Sequence, residues 1–170
     1  NASVTPVQTG SATICGGAIT YTWTFTDQCN RTISHQQTIT VTPMLAPQFV
    51  SPPGNINVTC DNIPASAPNL NVINNGPAGC NINESVPAVL EGTPNACGGQ
   101  FNYRWTYTDV CGRTIQHVQA ITVSPTPLGV FQNPPANEQV TCDMAPQPSS
   151  FPNLTFTNGL SGNCGINATV

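Results

Sequence analysis

Eight cysteines are the residues of this chain whose type and spacing could do chemistry: Cys15, Cys29, Cys60, Cys80, Cys97, Cys111, Cys142 and Cys164. Thiols can hold a metal, attack a substrate or bond to one another. Neighbouring cysteines lie 14 to 31 residues apart. No C-x-x-C knuckle or histidine pair accompanies them, so zinc is not the expectation. An even number of cysteines at a recurring spacing reads as a disulfide framework made in an oxidising compartment. The recurrence is strict. Cys15-Gly16-Gly17 returns 82 residues later as Cys97-Gly98-Gly99, Trp23 as Trp105, Cys29 as Cys111 and Cys60 as Cys142. Cys80 returns as Cys164 at a spacing of 84, which places a two-residue insertion in the last unit. A fixed period of this kind marks a modular array.

Other candidate groups recur with it. Asp27 and Arg31, like Asp109 and Arg113, bracket a cysteine turn at a spacing of four and are expected to brace it. Trp23 and Trp105 could stack on sugars, but each sits on the apolar side of an alternating strand, so with Tyr21 and Tyr103 they are assigned to the structural core. His35 and His117 fall on the same face as aliphatic residues; a bulge, or a hydrogen-bonded place at the sheet edge, is expected to accommodate them. Equivalent histidines in different modules cannot form one site. There is no G-x-S-x-G, carboxylate pair or Gly-rich phosphate loop, so no catalytic residue is assigned and the chain is read as not an enzyme. No cofactor is called for. Between modules Glu138 is nearly the only carboxylate, so no calcium clamp is expected and no metal ligand is assigned.

Composition narrows the partners. The 170 residues include three arginines, no lysine and seven acidic residues, for a net charge of −4. With no basic patch, neither nucleic acid nor an anionic membrane is an expected partner. No apolar run approaches the ~20 residues of a membrane-spanning helix. Lacking lysine, the chain cannot form Lys–Asn isopeptide braces, so disulfides must supply the covalent bracing. Its three arginines leave few sites for trypsin-like proteases. Six N-x-S/T sequons, at Asn1, Asn30, Asn57, Asn83, Asn153 and Asn167, are candidate glycan acceptors.

The elements that position these groups are strands. Phe101, Tyr103, Trp105 and Tyr107 alternate with polar residues, as do Ile19, Tyr21, Trp23 and Phe25 with threonines. This period of two predicts half-buried antiparallel strands. Thr32 to Val41 and Thr114 to Val123 follow as β-branched strands, with shorter candidates at 55–59, 70–73 and 86–90. Seventeen prolines argue against long helices. Proline clusters mark module boundaries. Residues 1–45 form the C-terminal half of one module, 46–126 a complete module, and 127–170 the N-terminal half of the next. Asn1-Ala2-Ser3-Val4 is in phase with Asn83-Glu84-Ser85-Val86 and Asn167-Ala168-Thr169-Val170, as expected of a window from a longer repetitive polypeptide. The fold class is all-β: tandem immunoglobulin-like antiparallel β-sandwich modules, disulfide-braced, with a period of about 82 residues.

Strand order constrains the cysteines. Taking the five strands alternately up and down places Cys60 and Cys97 at one end of the complete module, and Cys80 and Cys111 at the other. A ten-residue strand spans roughly 33 Å, whereas bonded cysteines need Cα atoms about 5.5 Å apart. Cys60–Cys97 and Cys80–Cys111 are therefore expected; pairing of sequence neighbours (Cys60–Cys80, Cys97–Cys111) is the alternative. The partners of Cys15, Cys29, Cys142 and Cys164 are then expected outside this stretch of sequence.

The run from Cys97-Gly98-Gly99 through Arg104-Trp105-Thr106-Tyr107-Thr108-Asp109-Val110-Cys111-Gly112-Arg113 to Ala120-Ile121-Thr122-Val123 resembles repeats of giant secreted surface proteins of Bacteroidota. These include gliding-type adhesins and type IX secretion cargo. Pro52-Pro53-Gly54-Asn55-Ile56-Asn57-Val58-Thr59-Cys60 resembles the opening of the related HYR-like modules. The resemblance implies an extracellular location, at the cell surface or in a secreted filament. The function it implies is a structural repeat of an adhesin stalk or surface filament, acting as a rigid spacer. Neighbouring repeats or subunits of the same protein, joined head-to-tail, are the expected partners. A glycan- or protein-binding module acting through loops at the sandwich ends is the alternative.

Overall fold

A computed structural model describes residues 3–146 and 151–170. The sequon at Asn1 and the phase of Asn1-Ala2 lie outside the described residues. The chain is all-β, and among the described residues there is no α-helix. Among the described residues, no helix is long and apolar enough to cross a membrane.

Among the described residues, thirteen strands form four sheets. Strands β1 (Val7–Thr13), β2 (Gly16–Thr26) and β3 (Thr32–Val41) make an antiparallel meander in which β2 is central. Strands β4 (Gln48–Phe49), β6 (Leu70–Ile73) and β7 (Asn83–Val86) form a second sheet in that order. In the third, β5 (Ile56–Val58), β10 (Thr114–Val123), β9 (Gly99–Thr108) and β8 (Val89–Glu91) lie in the order β5-β10-β9-β8. The last holds β11 (Val130–Phe131), β12 (Thr155–Thr157) and β13 (Asn167–Thr169). β5 runs parallel to β10, with Ile56 opposite Ile121.

The sequence expects one strand at 86–90. There are two, β7 and β8, and they belong to different sheets. Pro87 lies between them; it cannot donate to a ladder, so pairing stops there and resumes on the other sheet.

The repeat is legible in three dimensions. β1, β2 and β3 occupy the repeat positions of β8, β9 and β10, and β11, β12 and β13 those of β4, β6 and β7. The Cys-Gly-Gly motif has a backbone cause. Gly16 and Gly98 take φ +99° and +101°, Gly17 and Gly99 +127° and +120°, a region open to glycine and costly for other residues. A Cβ on Gly16 would lie 2.8 Å from the Pro43 ring, and one on Gly98 3.1 Å from Pro125.

Residues fall into two compact units. One holds Asn1–Pro52, Pro68–Ala88 and Arg104–His117; the other holds Pro53–Ala67, Val89–Tyr103 and Val118–Val170. Each therefore encloses the boundary between two sequence repeats. In the first, Trp105 is wholly enclosed and Val72, Leu70 and Val86 are buried. The Trp105 indole N–H donates to the Pro68 carbonyl at 3.0 Å, and its ring lies 5.7 Å from that of His117. His117 also meets the Phe49 ring edge-on at 6.4 Å. In the second unit Phe101, Tyr103, Ile121 and Val123 are buried, and the Tyr103 hydroxyl donates to the Pro64 carbonyl at 3.0 Å.

The equivalent aromatic face of β2 is open. Tyr21 and Trp23 are only half-buried, and Phe25 and Ile33 beside Trp23 are exposed. Among the described residues, no counterpart of β4, β6 and β7 lies over that face, so Tyr21 and Trp23 do not form the closed core expected of them. Of the two places expected for the histidines, the bulge is absent at His35, which pairs with Trp23 in unbroken register.

Candidate functional site

The chemistry of this chain is concentrated at the two module boundaries, each crossed by a disulfide. Cys15 bonds to Cys111, with Cα atoms 5.4 Å apart and 96 residues between them in sequence. Cys60 bonds to Cys164, with Cα atoms 5.8 Å apart and a separation of 104. Cys29, Cys80, Cys97 and Cys142 are free thiols.

These bonds correct the expected pairing: Cys60 does not meet Cys97, nor Cys80 meet Cys111, and the neighbour scheme does not hold either. Cys15 and Cys164, expected to find partners elsewhere, find them within the chain. Strand length forbids a bond along a module but permits one over its boundary, where the end of one repeat abuts the start of the next. Both separations, 96 and 104 residues, exceed the 82-residue period, so neither bond can lie within a single repeat.

The first boundary is a closed circuit of contacts. Cys15 sits in the β1–β2 turn, its N–H donating to the Thr13 hydroxyl at 3.1 Å. The preceding carbonyl, of Ile14, accepts from the Met44 N–H at 2.8 Å, which fixes the linker after β3. The Met44 and Leu45 carbonyls each accept a guanidinium N–H of Arg113 at 2.9 Å. Arg113 Nε donates to Asp109 Oδ2 at 2.7 Å, and Asp109 Oδ1 accepts the Cys111 and Arg113 N–H groups at 2.9 Å each. The carboxylate thus shapes the turn that presents Cys111, and the guanidinium ties that turn to the linker of the previous repeat.

In the other copy Asp27 receives the same three bonds from Cys29 and Arg31, at 2.9, 2.9 and 2.7 Å. The Arg31 side chain is 80% exposed, against 35% for Arg113.

The electrostatics follow from these bonds. Burial raises the Asp109 pKa, but the Arg113 backbone N–H, its guanidinium and the Cys111 N–H outweigh it, holding the carboxyl below its ordinary 3.8. At Asp27 the Arg31 backbone N–H and then its guanidinium lower the pKa. Tyr107 is pushed up by burial, and further by the Glu84 and Asp109 carboxylates.

A carboxyl with a lowered folded-state pKa contributes stability that is complete above its unfolded value of about 3.9 and is lost as pH falls through the folded value. The urea midpoint is therefore expected to hold steady down to about pH 4 and then fall. Asp109→Asn should lower that midpoint at neutral pH and flatten the acid limb. An unchanged acid limb in the variant would remove Asp109 from this role.

A residue missed in the sequence, Asn74, joins the cysteine loop to the linker. It is buried; its amide N–H₂ donates to the Leu45 and Cys80 carbonyls at 3.2 and 2.8 Å, and its Oδ1 accepts from Gly76 and Ile82. Asn158 does the same at the second boundary, reaching the Pro127 carbonyl at 3.4 Å and that of Cys164 at 2.7 Å. Their 84-residue spacing was the available signal.

At that second boundary Cys60 and Cys164 each sit in a single 3₁₀ turn and are buried. Asp61 lies beside them. Two sulfurs bonded to each other offer no thiolate, so this cluster is not a metal centre.

The chain matches the family described as the HYR-like domain with 4 cysteines, over residues 1–41 and again over 49–123. No curated protein matches it. The matched residues cover more than half of the chain, which therefore belongs to the HYR-like domains with 4 cysteines, a family of extracellular repeat domains. An extracellular structural or adhesion repeat is the role that follows.

Proposed function

We propose that this chain is a structural repeat of an extracellular adhesin stalk or surface filament, a rigid modular spacer without catalysis. It belongs at the cell surface or in a secreted filament, in proteins of the kind made by Bacteroidota as gliding adhesins or type IX secretion cargo. What supports this above all is a disulfide across each module boundary, Cys15–Cys111 and Cys60–Cys164. A flexible tether has no use for covalent bonds between successive beads. A spacer that must hold its length does, because such a bond removes the freedom of the junction to unfold or swing. Head-to-tail repetition of an interface that does not close produces an open fibre.

Electron microscopy of the native material should show thin rods with an axial repeat of roughly 35 to 45 Å per module, the scale of a ten-residue strand. Flexible beads without a fixed repeat would count against a rigid spacer. The open aromatic face of Val4, Trp23, Phe25 and His35 supports the second reading, a glycan- or protein-binding module. Glycan-array binding abolished by Trp23→Ala would favour that reading.

A further inference from the structure

We infer that Arg113 is a positioning residue for disulfide formation: its guanidinium delivers Cys15, rather than Cys80, to Cys111. The inference concerns how a bridge is chosen, and it stands whether the repeat serves as a spacer or as a binding module.

During folding every cysteine starts as a thiol, and Cys111 has rivals for its partner. Strand β9 keeps Cys97 away, since ten residues of strand span roughly 33 Å. Nothing of the kind separates Cys80. A cavity of about 130 Å³ is lined by Cys80, by Ile14 next to Cys15 and by Val110 next to Cys111, so these three cysteines gather around one space.

Chain statistics favour the wrong choice. Cys80 and Cys111 are 31 residues apart, Cys15 and Cys111 are 96. The entropy of loop closure rises with the logarithm of length, and this favours Cys80 about fivefold. Yet Cys15–Cys111 is the bond that forms.

What reverses the preference is a run of hydrogen bonds that joins the two cysteines without passing through sulfur. The Cys111 N–H donates to Asp109 Oδ1, and Asp109 Oδ2 accepts from Arg113 Nε. The two terminal guanidinium nitrogens donate to the Met44 and Leu45 carbonyls. The Met44 N–H donates to the Ile14 carbonyl, one residue before Cys15. Asn74 donates to the Leu45 carbonyl as well, and to that of Cys80, so the rival cysteine is fixed from the same point. All three guanidinium nitrogens are engaged, a use of the planar fork that no shorter or neutral side chain reproduces. Hydrogen bonds need no oxidant, so this circuit closes while the thiols are still reduced. Without the guanidinium, the Cys111 turn keeps its N–H bonds to Asp109 but loses its hold on residues 44 and 45.

Forming the bridge oxidises two thiols, releases two protons and passes two electrons to a disulfide oxidant. Oxidised glutathione serves, each molecule being reduced to two thiols.

The test refolds the whole chain, unfolded and fully reduced, in a mixture of reduced and oxidised glutathione. Thiols are alkylated at intervals and the bridges mapped in non-reduced digests. In wild type, Cys15–Cys111 should outnumber Cys80–Cys111 from the earliest species in which Cys111 is bonded. In Arg113→Gln the ratio of the two should fall at least about tenfold, the equivalent of about 1.4 kcal/mol. Val72→Ala loosens the enclosed core of the same unit without touching the circuit, and should keep the wild-type ratio. Early wild-type species dominated by Cys80–Cys111, an unchanged ratio in Arg113→Gln, or an equal fall in Val72→Ala would each overturn the inference. The wild-type time course requires no substitution, so a variant that fails to fold cannot hide the answer.

Discussion

Replacing Cys15 by serine is expected to lower the stability of the unit it staples by about 4–5 kcal/mol, and Cys164→Ser to do the same at the other boundary. A cross-link stabilises chiefly by restricting the unfolded chain, and the effect grows with the loop it closes. These loops are long, with separations of 96 and 104 residues. The two effects should not add, because the loops share residues 60 to 111 and each restricts the other's unfolded ensemble. Urea unfolding without reductant reads the change as a fall in midpoint, with a rise in m-value as the unfolded chain expands. Cys29→Ser, at an exposed free thiol, is the control and should stay within about 0.5 kcal/mol of wild type. If Cys15→Ser and Cys29→Ser unfolded at the same midpoint, the bridge would not be a structural member.

Trp105→Ala should cost about 3–5 kcal/mol, the range for deleting a large enclosed aromatic side chain. The indole is 0% exposed, its N–H is bonded to the Pro68 carbonyl, and it lies tilted against His117. Truncation leaves a cavity and an unpaired carbonyl where β9 meets the loop before β6. Trp23→Ala removes the same side chain from the same repeat position but should cost only a fraction of that in the monomer, because its face is already open to water. Thermal or urea unfolding of the two variants side by side measures the difference. Equal losses would mean that Trp23 is as enclosed as Trp105, contrary to its half-buried setting.

What the sequence made legible, and what it hid, divides along physical lines. Alternation in Gly99–Thr108 and Thr114–Val123 exposed the two long strands, because a pleated strand with one buried face must alternate. The recurrence of Cys-Gly-Gly was visible, though not the positive φ values and proline contacts that require its glycines. The sulfur partners stayed hidden for a different reason. Alternating strand directions sorted the cysteines by module end, and that sorting agrees with the units: Cys60 and Cys97 lie in one, Cys80 and Cys111 in the other. The bonds formed, however, join cysteines sorted to opposite module ends. The partners of Cys111 and Cys60, Cys15 and Cys164, are the one-period counterparts of Cys97 and Cys80, which the neighbour scheme gave to them; a periodic sequence cannot distinguish a residue from such a counterpart. Asn74 escaped notice because an asparagine in an asparagine-rich chain carries no mark of burial; its importance arises only when Leu45 and Cys80 converge on it.

The bridges 15–111 and 60–164 interlace, so every peptide link from residue 15 to residue 164 lies inside at least one covalent ring. A single hydrolytic cut anywhere along that length leaves both fragments tied together. So does a pair of cuts placed on either side of the shared segment. In surroundings rich in proteases, the molecule can thus be nicked repeatedly and still transmit tension from end to end.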